Sequence, residues 1–303
     1  MIETSILIPT KDGAKDIGAC LEAVYSQKDV GRVEVLVVDS GSTDNTLEIV
    51  QRYPVRLERI PPETFHHART RNYAAGLAKG EFLVFLSQDA IPASETWLGT
   101  MISNFGDRSV GAAYGRQLAK PGSTLERQEV LNVVYGGERV VKDRYRGQEC
   151  GFRYYHFSSV NSAIRKEVWQ ATRFPDDLKV FEDLGISKRI LDAGWKIVYE
   201  PRATVYHSHN HTAGGLFKRY FDGGVIWKRL GLWDDRTRSS MLREFGRLLL
   251  KKLSLSGDNR AGWMGRASIR QDLAKSAGMF LGLHERYLPL ALKRRLSAHH
   301  LFE

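Results

Sequence analysis

Apolar residues come in short blocks that alternate between two periods. Thr4–Pro9 is an apolar run closed by a proline, and Ile17, Leu21, Val24 and Tyr25 then repeat at helical spacing. The same unit recurs: a β-branched run over Val33–Val38, turn and cap residues over Asp39–Asn45, and a helical stretch through Leu47 and Val50. A third run, Val55–Ile60, leads to a helix predicted over Ala68–Ala78, and a fourth, Glu81–Leu86, stops at Ser87-Gln88-Asp89. Such alternation predicts a mainly parallel sheet with helices on both faces, in which ligands bind beyond the carboxyl ends of the strands. Pro9, Asp39 and Asp89 fall at those ends.

The pattern weakens over Gly115–Arg153, where charged, glycine-containing sequence predicts a mobile acceptor-side region. It returns with a strand at Phe157–Ile164, a helix over Asp183–Ala193 and a strand at Ala203–Tyr206. Beyond it, Met241, Leu242, Phe245, Leu248, Leu249 and Leu253 form one apolar stripe among arginines and lysines, the signature of an amphipathic helix. The chain is therefore expected to contain a catalytic domain over 1–213, with a nucleotide half of about 1–110 and an acceptor half of about 111–213. A helical, basic extension over 214–303 follows.

Charge sharpens that division. Lys plus Arg balance Asp plus Glu at 27 each through Ala213, whereas 18 basic residues face 8 acidic ones from Gly214 onward, so the tail carries the whole net charge of +10. A basic tail of this kind faces water, an anionic membrane or nucleic acid. A hydrophobic content of 42% with 26% charged residues excludes disordered and fibrous classes. No apolar run reaches the roughly eighteen residues of a membrane span, and Met1 leads into an apolar strand without a basic prelude. Cys20 and Cys150 sit in unrelated contexts, which suggests neither a disulfide framework nor a zinc cluster. A cytoplasmic protein is expected, peripheral on the inner membrane face if the tail binds lipid.

Four separated motifs carry the chemistry. Ser5-Ile6-Leu7-Ile8-Pro9-Thr10, followed by the strand ending in Asp39-Ser40-Gly41-Ser42-Thr43-Asp44, resembles the opening of family 2 glycosyltransferases. The resemblance runs from about Ser5 to His211 and implies the GT-A nucleotide-binding fold, with Asp39 on the pyrimidine base and Pro9 and Thr10 walling the nucleotide pocket. A carboxylate at a strand end can accept a hydrogen bond from a pyrimidine imide; equally, Asp39 and Asp44 can serve as helix caps. Phe65-His66-His67-Ala68-Arg69-Thr70-Arg71-Asn72 is similar to the rhamnosyltransferase branch of that family. There Arg71 and Asn72, near a helix start, suit an anionic nucleotide, with helix capping as the alternative.

Leu86-Ser87-Gln88-Asp89-Ala90 stands where the family carries its acidic metal motif. The resemblance assigns Gln88 and Asp89 to the nucleotide sugar and Asp89 to a Mg2+ or Mn2+ ion, although only one acid is present. A cation that takes much of its coordination from phosphates and water tolerates so few protein ligands. Phe181-Glu182-Asp183-Leu184 resembles the catalytic Glu-Asp motif and implies Asp183 as general base, with Glu182 on the acceptor or exchanging roles; the helix dipole alone would also place acids there. In His207-Ser208-His209-Asn210-His211, His207 is the metal candidate and His209 an acceptor candidate. Phe157–Arg165 resembles the acceptor-side strand, with Asn161 and Ser162 for sugar hydroxyls.

The expected function is inverting transfer of a sugar, L-rhamnose from dTDP-L-rhamnose by the resemblance, to a glycan or lipid-linked glycan in cell-surface polysaccharide synthesis. The expected partners are the donor, that acceptor, an anionic membrane surface, and a second copy through the C-terminal helices, without nucleic acid. Other UDP- or dTDP-sugars remain open as donors. A nucleotidyltransferase would need a glycine-rich basic loop where Pro9-Thr10-Lys11-Asp12-Gly13 stands. A nucleotide-sensing nucleic-acid binder would show strongly salt-dependent affinity for DNA or RNA.

Overall fold

A computed structural model describes residues 2–123, 131, 134–143, 154–209, 211–233, 243 and 262–302, with backbone only for 262–268. The chain divides into two compact units. One comprises Met1–Gly147, Tyr155–Asp177 and Glu182–Ser208; the other comprises Gln148–Tyr154, Leu178–Phe181 and His209–Glu303.

The first unit is built on a nine-stranded sheet: β1 Thr4–Thr10, β2 Val33–Asp39, β3 Arg56–Arg59, β4 Phe82–Leu86, β5 Ile91–Pro92, β6 Val110–Leu118, β7 Val140–Lys142, β8 Asn161–Arg165 and β9 Lys196–Tyr206. The strand order is β3-β2-β1-β4-β8-β6-β9-β5, with β7 paired to β9. The helices of this unit are α1 Ile17–Tyr25, α2 Thr46–Val50, α3 His67–Leu77, α4 Trp97–Ser103, α5 Lys166–Thr172 and α6 Glu182–Asp192. Strands β1 to β4 pair in parallel, and β1, β2 and β4 carry the near-continuous apolar runs usual in strands buried on both faces. Ile6, Ile8, Val35, Val37, Val84 and Leu86 point to the side covered by Ile17, Cys20, Leu21 and Val24 of α1. The intervening Leu7, Leu36, Val38, Leu83 and Phe85 are also buried, with the Phe85 ring edge-on to Phe174 at 5.0 Å.

Beyond β4 the sheet changes character. β8 runs antiparallel to both β4 and β6, whereas β6 and β9 are parallel. Their register slips between Gly115 and Arg116, where the partner jumps from Glu200 to Thr204. A Cβ at Gly115 would lie 1.9 Å from the Ala203 carbonyl oxygen, so only glycine admits this excursion. The strand expected at Phe157–Ile164 begins only at Asn161, the segment over 115–153 contributes the end of β6 and the short β7, and β9 is far longer than the run at Ala203–Tyr206.

The second unit contains α7 Ala213–Arg229, α8 Gly262–Leu283, a 3-10 turn at Glu285–Tyr287 and α9 Leu290–Leu296. α7 and α8 pack closely because their contact is glycine-lined: a Cβ at Gly282 would meet the Phe221 carbonyl oxygen at 2.0 Å. Asp222 of α7, fully buried, accepts from the Ala298 and His299 amides and pairs with His299 Nδ1 at 2.8 Å, which fastens the C-terminal segment. The apolar stripe expected over Met241–Leu253 lies outside the described residues. No helix among the described residues is long and apolar enough to cross a membrane.

Candidate active site

Three loops meet beyond the carboxyl ends of β1, β2 and β4, stitched together by side chain to backbone hydrogen bonds. Asp12, at a φ of 44°, accepts from the Thr43 amide at 2.8 Å while its own amide donates to Ser42 Oγ. Gly13 donates to Thr46 Oγ1 and Ala14 to Asp44 Oδ2. Asp44 thus spans two loops as well as turning the chain into α2. The Thr46 hydroxyl first, then the Ala14 and Thr46 amides, hold its carboxyl below the usual range. Asp39, 1% exposed, accepts from the Gly41 amide at 3.0 Å and from both the amide and the hydroxyl of Ser42. Those bonds fix the carboxylate at the end of β2 beside Thr10, its register partner in β1.

Gln88 latches the same region from the β4 side. Its Oε1 accepts from the Lys11 amide at 3.0 Å and its Nε2 donates to the Lys11 carbonyl at 2.9 Å. A Cβ at Gly13 would lie 2.3 Å from Gln88 Oε1. Gln88 therefore shapes the wall formed by Pro9, Thr10 and Lys11. Beneath the turn, Cys20 donates to the Ala90 carbonyl at 3.3 Å; burial, and then the Asp89 carboxylate, push its thiol far up, so it stays protonated and inert.

β5 pairs antiparallel with the end of β9, Ile91 opposite Tyr206, and this short ladder brings Asp89 to His207. Asp89 Oδ2 and His207 Nε2 stand 3.6 Å apart, with side chains 16% and 9% exposed. His207 Nδ1 contacts Gln117 Oε1 at 2.8 Å, and the Gln117 amide nitrogen bonds Tyr135 Oη at 2.6 Å and Ser158 Oγ at 2.8 Å. An amide oxygen accepts only, so in this arrangement Nδ1 carries a proton, and in the neutral ring Nε2 is then left as an acceptor toward the carboxylate. Two facing acceptors suit a shared cation, and a carboxylate with an imidazole nitrogen is an acceptable donor set for Mn2+. Residues 207–209 form no regular element, and His209 opens the second unit as an exposed residue.

The acids at the start of α6 differ from each other. Glu182 is buried and ion-paired with Arg71 at 2.8 Å, while Arg71 also bonds the His67 carbonyl. Asp183 is only partly buried, its Oδ1 facing the Leu184 amide at 2.8 Å. The adjoining Phe181 holds a φ of 58°, a left-handed turn that lets the helix start abruptly at the two acids.

Several expected ligand contacts are committed inside the protein. Asn72 uses its whole amide: Nδ2 donates to the Phe174 carbonyl and Asp176, and Oδ1 accepts from Trp169 Nε1 and the Phe174 amide. It moors the chain after α5. Arg71 is likewise directed to Glu182. Asn161, fully buried, accepts from Trp97 Nε1 and donates to the Ala203 carbonyl at 2.9 Å, satisfying a carbonyl freed by the β6–β9 excursion. Ser162 is also fully buried within β8. The Asn161 amide is spent on these bonds, and neither side chain reaches the surface in this structure. Gln117 escaped sequence reasoning because it lies 90 residues from the histidine it touches.

An α/β unit with acids at strand ends and at a helix start is the architecture of a nucleotide-sugar transferase. Residues 5–171 match the Glycosyl transferase family 2 profile, and the chain belongs to that family. It is 34% identical over 266 residues to the O-antigen chain rhamnosyltransferase WbaN of Salmonella anatum, covering 87% of this chain and 84% of the relative. It is 28% identical to the O-antigen chain rhamnosyltransferase RfbN of Salmonella typhimurium, covering 98% and 94%. Among solved structures, the mannosyltransferase PcManGT of Pyrobaculum calidifontis, in complex with GDP-Man and Mn2+, aligns with a TM-score of 0.64 at 18% identity over 94% of this chain and 88% of that one. The protein is a glycosyltransferase of GT-A fold.

Proposed function

We propose that the enzyme transfers L-rhamnose from dTDP-L-rhamnose, with inversion, to a glycan or lipid-linked glycan acceptor in O-antigen-type polysaccharide synthesis. The observation that carries this reading is similarity over most of the chain to two O-antigen chain rhamnosyltransferases. Residues 1–213 are the catalytic domain. Asp39, Pro9 and Thr10 receive the nucleotide, on the loop framework that Gln88 and Asp44 hold rigid. Asp89 and His207 would hold a divalent cation, which when bound neutralises the donor diphosphate.

Asp183 takes the proton of the acceptor hydroxyl as its oxygen bonds the anomeric carbon, and the bond from that carbon to the diphosphate oxygen breaks with its electron pair leaving on phosphate. Attack opposite the leaving group inverts the centre without a covalent intermediate. Glu182, neutralised by Arg71, positions α6. The decisive experiment offers dTDP-rhamnose, UDP-glucose, UDP-N-acetylglucosamine and GDP-mannose with Mg2+ or Mn2+, and follows nucleotide release with and without a lipid-linked acceptor. Preference for dTDP-rhamnose supports the reading, and preference for another donor overturns it.

The second unit supplies the membrane side of the proposal. Phe280, Tyr287 and Leu290 are 60%, 68% and 53% exposed, and Arg286, Arg294 and Arg295 lie in the same segment. Exposed apolar groups with nearby cations suit an anionic bilayer surface, each cation contributing about 1 kcal/mol. Binding to anionic but not neutral vesicles at low salt is expected in flotation; equal failure on both assigns this surface to self-association instead.

A further inference from the structure

We infer that Gln117 is a positioning residue that fixes the tautomer and ring orientation of His207, with Tyr135 and Ser158 locking Gln117 in turn. This deepens the assignment of Asp89 and His207 as cation ligands and rests on it. Gln117 is 5% exposed in β6, one residue before Leu118, whose carbonyl accepts the His207 amide at 2.8 Å. The backbone of His207 is thus pinned to the strand that carries Gln117, and its ring can meet the amide only through Nδ1. Tyr135 and Ser158 are buried as well, at 5% and 6% exposure. With both of its N–H groups taken by these hydroxyls, the amide keeps its oxygen toward the imidazole.

A chain with a single acid in its Ser-Gln-Asp turn depends unusually on the imidazole. A ring free to rotate, or protonated at Nε2, would take the His207 nitrogen away from a cation at Asp89. A hydrogen-bonded partner on the distal nitrogen of a ligating histidine orients the ring and raises its basicity, and losing it typically weakens metal affinity by about 10- to 100-fold. Glutamine suits the position because it satisfies two hydroxyls and one imidazole N–H at once without adding a buried charge.

The test uses the full-length protein and three variants: Gln117→Leu, Gln117→Glu and Tyr135→Phe. Nitrogen-15 long-range NMR of the neutral imidazole distinguishes the Nδ1–H from the Nε2–H form without any metal, with His207→Gln giving the assignment. Mn2+ affinity is read separately by electron paramagnetic resonance in the presence of dTDP. The wild type should show His207 as the Nδ1–H form. Gln117→Leu should lose that signature and bind Mn2+ about 10- to 100-fold more weakly, while thermal melting confirms that it is folded. Gln117→Glu should restore both readouts, since a carboxylate accepts Nδ1–H and both hydroxyls can turn to donate to it. Tyr135→Phe, the gentler change, should give an intermediate loss. An Nε2–H form in the wild type, or a folded Gln117→Leu protein with unchanged tautomer and Mn2+ affinity, overturns the inference. A wild type that binds no Mn2+ but keeps the Nδ1–H form would overturn the metal reading and spare the positioning role.

Discussion

Two acidic regions of the first unit have opposite fates. At the end of β4, Asp89 faces an imidazole nitrogen at 3.6 Å, an arrangement that leaves room for a cation. At the start of α6, Glu182 is closed off by a guanidinium at 2.8 Å, with both side chains about nine-tenths buried. In sequence the two regions look alike, as short acidic motifs at the edge of an element. What separates them is the partner: Asp89 faces an imidazole held by Gln117, whereas Glu182 is ion-paired with an arginine. The Glu182-Asp183 pair is divided in the same way, because Glu182 is buried whereas Asp183 is only partly buried.

The sharpest way to break this contrast is Asp183→Asn. Turnover should fall by about 10³-fold while dTDP affinity stays within about twofold, because the carboxylate acts on a proton in the transition state. Calorimetry with dTDP and steady-state turnover decide it, and undiminished turnover would move the base elsewhere. Asp89→Ala should cost on the order of 100-fold in turnover through lost charge stabilisation of the diphosphate, and should abolish the response to added Mn2+. Full activity of the wild type after exhaustive chelation would remove the metal from the scheme.

Glu182→Gln should act on stability instead. Breaking one side of a buried ion pair costs about 3–5 kcal/mol, and pairing it with Arg71→Met should recover much of the loss. Thermal melting with a double-mutant cycle reads this out. A Glu182→Gln protein of unchanged melting temperature and lost turnover would place Glu182 in the chemistry.

Strands β1, β2 and β4 were legible because each is buried on both faces over most of its length and so reads as an apolar run before turn residues, with helix α1 at the predicted bounds. Asp39, Asp89 and Asp183 stood out as acids at the ends of such elements. Asn72 and Asn161 show why a letter alone does not fix a role: a buried amide that completes hydrogen bonds of neighbouring carbonyls has the same letter as one that meets a ligand. The strands beyond β4 were harder to place because their pairing partners are distant and their alternation is broken by the slip at Gly115.

The sequence by itself determined the family, the alternating α/β pattern of the N-terminal half and the acids at the ends of its elements, since periodicity and turn chemistry are local properties of the chain. Tertiary structure alone decided which of those groups are available. The β5–β9 ladder sets Asp89 opposite His207, the β6–β9 pairing delivers Gln117 to the same imidazole, and the α3–α6 ion pair withdraws Glu182. Each of these joins residues about 90 or more positions apart, and only the folded sheet brings such distant groups within a hydrogen bond or an ion pair of one another.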